Sequence, residues 1–156
     1  YEHLQLVLTE VLGFKLIDAE GSFHLFEVGE GGNGASIIVE HREDLPAAQE
    51  GYGNVHHLAL RVADEEALRF WIEKINRLEF PNSGFVERFY FKSEYFLAAT
   101  HVLFELATDG PGFLEDETYE HAGEKLSLPP FLEPKRAGIE EFVRPFDTSD
   151  ANVQRN

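Results

Sequence analysis

The feature that most constrains the fold is a pattern of short apolar segments that occurs twice along the chain. Residues 35–41 (ASIIVEH) and residues 101–108 (HVLFELAT) each end such a pattern, and each carries a glutamate at the matching place, Glu40 or Glu105. These two glutamates are 65 positions apart. A repeat of this length predicts two similar units that arose by internal duplication and share one core.

The first unit, residues 1–41, is predicted to be one helix followed by three strands. Apolar residues recur at helical spacing before Gly13, where a helix end belongs. They are Leu4, Val7, Leu8, Val11 and Leu12. Three apolar or alternating runs follow at residues 14–21, 22–29 and 35–41, separated by glycines. The polar stretch 42–53 then predicts a linker.

The second unit, residues 54–108, has the same order with one strand more. Residues 54–62 (NVHHLALRV) predict an opening strand, and Asp64 is placed to cap the helix that follows. One apolar stripe runs along this helix through Leu68, Trp71, Ile72, Ile75 and Leu78. Three more strands are predicted at 85–91, 93–99 and 101–108. The second unit is therefore β-α-β-β-β, and the first appears in this chain without its opening strand.

The rest of the chain has a different character. Residues 109–146 form a predicted C-terminal extension, with a short helix after Pro134. Residues 147–156 are predicted to be disordered. Helices and strands in this order indicate the α+β fold class.

The composition excludes two classes of partner. The chain has 29 acidic and 13 basic residues, and its formal net charge is -16. Nucleic acid and anionic membranes would therefore repel it, and no run reaches the ~18 apolar residues of a membrane helix. Cysteine is absent, which removes disulfide and thiolate chemistry and is typical of the reducing cytoplasm. We therefore expect a cytoplasmic protein without nucleic acid or membrane partners.

A histidine and a glutamate from opposite ends of the second unit are candidate metal ligands. Because side chains alternate along a strand, His57 shares a face with Ala59, and His56 is predicted to face the packing side. Glu105 lies mid-strand, where burial costs several kcal/mol unless the carboxylate is paired, protonated or bound to a cation. An imidazole and a carboxylate on one curved sheet supply two of the three ligands of non-haem Fe(II) oxygenases. On spacing alone, the alternative is a half-exposed histidine and a glutamate that faces water.

Four segments resemble the C-terminal half of ring-cleaving dioxygenases of the glyoxalase, bleomycin resistance and vicinal-oxygen-chelate superfamily. They are GNVHHLALRVAD (53–64), FYFKSEYF (89–96), VLFELATDGPGF (102–113) and GEKLSLPPFLEPKR (123–136). The TDGPGF and LPPFLEP strings resemble the dioxygenase-like branch in particular. The HH pair and the FE dipeptide alone would indicate only the superfamily.

The resemblance implies an α+β fold in which paired βαβββ modules form a cupped mixed sheet around a divalent metal. It implies that His57 and Glu105 bind this metal, with Fe(II) as the expected ion and Mn(II) or Zn(II) as alternatives. It also implies a catalytic role for Tyr95, whose hydroxyl would hydrogen-bond a phenolate in the substrate pocket. The alternative for Tyr95 is a packed aromatic in a phenylalanine-rich strand.

The resemblance is incomplete in two respects. The related enzymes take a third ligand, a histidine, from a module that this chain does not contain, and they are roughly twice as long. We therefore expect the missing N-terminal half of the same protein as a partner, together with a homodimer. Extradiol enzymes also use a pocket histidine as acid and base. Here His41 is predicted to turn away from the cup, and the role of His101 stays open.

The sequence therefore predicts the C-terminal domain of a metal-dependent extradiol-type dioxygenase that cleaves a catechol or hydroquinone-like ring with O2. Two alternatives stay open. One is a glyoxalase-type lyase, isomerase or thiol transferase, which polarises a substrate oxygen without O2. The other is a non-catalytic ligand-binding module. The fragment alone is expected to bind metal weakly or to be inactive without its other half.

Overall fold

The computed structural model describes residues 1–49, 51–145 and 148. Its α-helices are α1 (Glu2–Leu6), α2 (Glu65–Arg77) and α3 (Arg136–Phe142), with a π-helical segment at Val7–Val11 and a 3-10 turn at Glu133–Lys135. Its strands are β1 (Lys15–Glu20), β2 (Phe23–Glu27), β3 (Ser36–Glu40), β4 (Leu58–Arg61), β5 (Val86–Glu87), β6 (Lys92–Ala99) and β7 (Val102–Ala107).

The strands form two sheets, one in each unit. Strands β1, β2 and β3 are antiparallel neighbours in the first sheet. The second sheet has the order β4-β7-β6-β5, in which β4 runs parallel to β7 and the other neighbours are antiparallel. The chain passes through α2 between β4 and the other three strands, because a parallel pair needs a crossover connection. The predicted α+β class, with a helix and three strands in the first unit and βαβββ in the second, is confirmed.

The helix α2 follows directly from its sequence. Asp64 caps its first turn, since the Asp64 carboxylate accepts a hydrogen bond of 2.8 Å from the backbone N–H of Ala67. Leu68 and Ile75 on its apolar stripe are fully buried. Acidic residues in the first turn and basic residues in the last one complement the helix dipole.

Both units contribute to one hydrophobic core. Its buried members are Val7, Leu8, Leu12, Phe14, Phe26, Val62, Leu68, Ile75, Phe96, Ala98, Phe104 and Leu106. A polar contact also joins the units: the Lys74 ammonium on α2 donates to the backbone carbonyl of Val11 at 2.5 Å. The same ammonium lies 4.5 Å from the centre of the Trp71 ring.

Two strands of the second unit are shorter than the sequence predicts. The opening strand was expected over 54–62, but β4 begins at Leu58, so the preceding four residues form no ladder pairs. The strand expected over 85–91 is reduced to the two residues of β5. There Phe89 has a φ of 69°, a left-handed backbone conformation that ends a strand, and the N–H of Arg88 donates to the carbonyl of Phe91.

The C-terminal extension contacts the segment between β5 and β6 through Tyr90, and it contains the predicted short helix, α3. The disorder predicted for residues 147–156 lies outside the described residues, apart from Thr148. Within the described part of the chain, no helix has the length and hydrophobicity that a membrane crossing requires.

One carboxyl group lies on the packing side of the second sheet. Glu94 on β6 is paired with Leu106, whereas its neighbour Tyr95 is paired with Glu105, so Glu94 and Glu105 point to opposite faces. Glu94 is 0% exposed, and neither of its carboxyl oxygens has a hydrogen-bond partner among the described residues. Burial raises the pKa of Glu94 to about 7.

This buried carboxyl makes the stability of the fold dependent on pH. Folding raises the pKa of Glu94 from its normal value of 4.5. The neutral carboxyl therefore makes its full contribution to the free energy of unfolding below pH 4.5, and this contribution is lost as the pH rises through about 7. We expect Glu94→Gln to stabilise the protein by about 2 kcal/mol at pH 8 and by much less at pH 5.

Urea unfolding at the two pH values measures this difference. Glu87→Gln, which removes an exposed carboxylate from the neighbouring strand β5, is the matched control and should leave the pH dependence unchanged. Equal effects of Glu94→Gln at both pH values would show that Glu94 stays ionised in the folded protein.

Candidate functional site

Three neighbouring strands of the second sheet carry the candidate site on one face. Glu105 on β7 is opposite Ala59 on β4 and opposite Tyr95 on β6. Because cross-strand partners point to the same side of a sheet, these three side chains lie in a row on one face, which we call the site face. His57 lies two residues before Ala59, immediately before β4 begins.

The structure brings His57 and Glu105 into direct contact. The His57 Nε2 atom lies 2.9 Å from Oε2 of Glu105. Glu105 is 3% exposed, whereas the His57 side chain is 33% exposed and borders solvent. The second carboxylate oxygen of Glu105, Oε1, is buried and has no hydrogen-bond partner among the described residues. A proton or another cation must therefore lie between these groups to offset the buried charge.

This pair has the geometry of two ligands of one metal ion. Two atoms bound at about 2.1 Å to the same ion, and at right angles, lie about 3 Å apart, and the observed separation is 2.9 Å. The unpartnered Oε1 adds a further lone pair on the same carboxylate. Among residues 1–49, 51–145 and 148, no group of three or more His, Cys, Asp or Glu side chains is arranged to hold a metal. A metal ion held by this pair would therefore need a further ligand from outside these residues.

Tyr95 lies beside this pair. Its ring centre is 5.4 Å from that of His57, with the rings almost perpendicular. The Tyr95 hydroxyl forms no hydrogen bond within the described part of the chain, so it is free to donate to a bound molecule. The structure thus groups all three residues that the sequence singled out, His57, Glu105 and Tyr95.

Arg88 is a neighbour that the sequence analysis missed. Its guanidinium carbon lies 5.2 Å from the centre of the Tyr95 ring, and the side chain forms no ion pair with the described residues. Arg88 lies in the irregular segment after β5, where strand alternation does not apply. The only sequence signal was a single cation within an aromatic stretch, FVERFYF.

The prediction that His56 faces the packing side is wrong. His56 is exposed, its Nδ1 atom lies 2.8 Å from Nδ1 of His57, and its ring centre is 6.5 Å from that of Tyr95. Alternation holds only within a ladder, and both histidines precede the first ladder pair of β4. The two adjacent side chains therefore lie on the same side.

The other two candidate histidines lie in different surroundings. His41 follows β3, where its ring stacks on Tyr1 with the centres 5.1 Å apart and its Nε2 is 3.7 Å from a carboxylate oxygen of Glu43. His101 is exposed in the turn between β6 and β7, with a φ of 62°. Neither contacts the pair of His57 and Glu105.

Two cavities border the site face. One, of about 400 Å³, is lined by Ala59, Glu105 and three aromatic residues, Tyr90, Phe91 and Phe113, among others; we call it the aromatic cavity. The second, of about 460 Å³, is lined by Asn54, His56, Leu97, Thr100, His101 and their neighbours. Both volumes fall in the range of small-molecule pockets.

The phenol of Tyr90 differs from that of Tyr95. The Tyr90 hydroxyl donates a hydrogen bond of 2.7 Å to Oδ2 of Asp116. Burial, and then this carboxylate, raise the pKa of Tyr90 to about 12. Tyr90 is therefore a neutral wall of the aromatic cavity whose proton is already engaged.

Comparison with solved structures identifies the fold. The crystal structure of a "putative dioxygenase" from Bacillus subtilis subsp. subtilis str. 168 matches with a TM-score of 0.82 and 34% identity, covering 95% of this chain and 47% of that one. A glyoxalase/bleomycin resistance protein/dioxygenase domain from Frankia sp. EAN1pec matches in fold, with a TM-score of 0.59 and 17% identity over 69% of this chain and 87% of that one. The chain therefore has the fold of the glyoxalase/bleomycin resistance/dioxygenase proteins.

In sequence, the chain is similar to ring-cleaving dioxygenases. It is 46% identical over 144 residues to "Putative ring-cleaving dioxygenase MhqA" of Bacillus subtilis (strain 168), covering 89% of this chain and 46% of that protein. It is 35% identical over 137 residues to "Chlorohydroquinone/hydroquinone 1,2-dioxygenase" of Sphingobium indicum, covering 85% and 42%. No protein-family model matches the sequence. The resemblance found in the sequence is confirmed, and the chain spans less than half the length of these relatives.

Proposed function

We propose that this chain forms the metal-binding half of a ring-cleaving dioxygenase that acts on a catechol or a hydroquinone with O2. The contact between His57 and Glu105 supports this function most directly, because an imidazole and a buried carboxylate meet where the site face is open. The relative named chlorohydroquinone/hydroquinone 1,2-dioxygenase supports the substrate class. We propose ring cleavage of the extradiol type, which breaks one carbon–carbon bond of the ring and adds both atoms of O2.

His57 would bind the metal through Nε2, and Glu105 through one or both carboxylate oxygens. Fe(II) is the proposed ion, with Mn(II) and Zn(II) as alternatives that the same donor atoms accept. Fe(II) held by these residues would supply the redox chemistry that lets an aromatic ring react with O2. The third ligand would come from the other half of the protein.

Other side chains of the site face would position the substrate. The Tyr95 hydroxyl would donate a hydrogen bond to the phenolate oxygen of the ring and hold a proton there during the reaction. The guanidinium of Arg88, 5.2 Å from the Tyr95 ring, would stabilise negative charge on the same oxygen. Phe91 and Phe113 in the aromatic cavity would pack against the ring and exclude water.

The whole protein is proposed to be about twice the length of this chain, which would form its C-terminal half. The other half would complete both the ligand set and the cup, and two copies would associate as a homodimer. We also propose a cytoplasmic location, because the chain has no cysteine and the proposed Fe(II) centre needs a reducing environment.

Metal titration tests the two proposed ligands. We expect His57→Ala and Glu105→Gln each to weaken Fe(II) or Co(II) binding by about 100-fold or more, because each removes a donor atom from an incomplete set. His121→Ala, which removes an exposed histidine of the C-terminal extension, should bind as the wild type does. Isothermal titration under anaerobic conditions measures these affinities.

The reaction itself is tested by O2 consumption. The full-length protein loaded anaerobically with Fe(II) should consume one O2 for each ring cleaved when catechols or hydroquinones are added. An iron-loaded enzyme that consumes no O2 with any such substrate would contradict the proposal. Turnover of another substrate with Zn(II) in place of Fe(II) would instead favour a lyase, isomerase or transferase.

Steady-state kinetics distinguish a role of Tyr95 in catalysis from a role in substrate binding. We expect Tyr95→Phe to lower kcat by about 100-fold and to change KM much less, because the lost hydroxyl acts on the reacting oxygen. Tyr119→Phe, at a residue that is 82% exposed, is the matched control. An unchanged kcat in Tyr95→Phe would leave Tyr95 as a packed aromatic without a catalytic role.

A further inference from the structure

We propose that His56 is a positioning residue that fixes the tautomer and the ring orientation of His57 through a hydrogen bond between the two Nδ1 atoms. This inference rests on the metal site proposed for His57 and Glu105. It goes beyond that site because it assigns a function to an adjacent histidine that is not itself a proposed ligand.

The geometry of the two imidazoles defines the contact. The Nδ1 atoms of His56 and His57 are 2.8 Å apart, and the two rings are perpendicular, with their centres 5.1 Å apart. At this distance one Nδ1 carries the proton and the other accepts it, because two protonated or two unprotonated nitrogens would repel each other.

The contact on the other side of His57 decides which ring donates. Nε2 of His57 faces Glu105, so it is the nitrogen that would offer its lone pair to a metal. A neutral imidazole that binds metal through Nε2 carries its proton on Nδ1. With a metal on Nε2, the Nδ1–H of His57 would therefore donate to Nδ1 of His56, and His56 would carry its own proton on Nε2.

An imidazole is an unusual hydrogen-bond acceptor for the second N–H of a histidine that binds a metal. Histidine ligands in most proteins donate their second N–H to a carboxylate, a backbone carbonyl or water. His56 offers a single acceptor atom in a fixed plane, so the hydrogen bond also sets the rotation of the His57 ring.

The local backbone explains how two consecutive side chains can meet. Neighbouring residues in a strand point to opposite faces, but His56 and His57 both precede the ladder of β4. The Tyr95 ring lies close to both, with ring-centre distances of 6.5 Å to His56 and 5.4 Å to His57. The three rings thus form one packed group around the proposed ligand.

Three substitutions of His56 test the hydrogen bond in the full-length protein, with Zn(II) as the probe. His56→Ala removes the acceptor. His56→Asn keeps one, because the amide oxygen of Asn is bonded to Cγ, as Nδ1 is in histidine. His56→Gln carries a similar amide one bond farther from the backbone and is the matched control for polarity.

We expect His56→Ala to weaken Zn(II) binding by about 10-fold or more, His56→Asn to bind within about threefold of the wild type, and His56→Gln to resemble the alanine variant. A purely structural role for His56 would give no such difference between Asn and Gln. Circular dichroism of each variant controls for folding, and His121→Ala controls for the loss of a histidine.

A second readout is independent of affinity. In the Zn(II)-loaded protein labelled with 15N-histidine, we expect a scalar coupling across the hydrogen bond between the two Nδ1 nuclei, with the His56 proton on Nε2. Absence of this coupling, or the same Zn(II) affinity in His56→Ala as in the wild type while His57→Ala loses binding, would overturn this inference and leave the proposed function intact. Equal Zn(II) affinity of His57→Ala and the wild type would instead overturn the metal site itself.

Discussion

A carboxylate enclosed in the middle of a sheet is the constraint on which the rest of this structure depends. Glu105 is 3% exposed, and one of its oxygens has no hydrogen-bond partner among the described residues. An isolated buried charge of this kind would cost several kcal/mol. The His57 imidazole is the partner that offsets it, at 2.9 Å, and the surrounding residues are arranged so that this contact forms at an open face.

The strand order makes this contact possible. The crossover through α2 places β4 parallel to β7, so that the first and last strands of the second unit are neighbours. His57 immediately precedes β4, and Glu105 lies on β7. Two residues that are 48 positions apart in sequence, by the difference of their numbers, therefore lie side by side. A different strand order would have left the carboxylate without its histidine.

The sequence predicted the parts of the site that lie within regular ladders. Alternation gave the residues that share a face with Glu105 on its own strand, and the resemblance to ring-cleaving dioxygenases selected His57 and Tyr95. His56 was assigned wrongly because strand alternation was applied to it although it lies two residues before the observed start of β4. Arg88 was missed because the left-handed Phe89 ends the strand early, and no periodic pattern describes the side chains of such a segment. The burial of Glu94 could have been predicted, because Glu94 is adjacent to Tyr95 on one strand and its side chain therefore points to the packing side.

The contact of Lys74 with the first unit has a consequence for how the two units unfold. The ammonium on α2 bonds to the carbonyl of Val11, and side chains of both units share one set of apolar neighbours. Neither unit can lose its structure without exposing the core of the other. We therefore expect the two units to unfold together, in one cooperative transition.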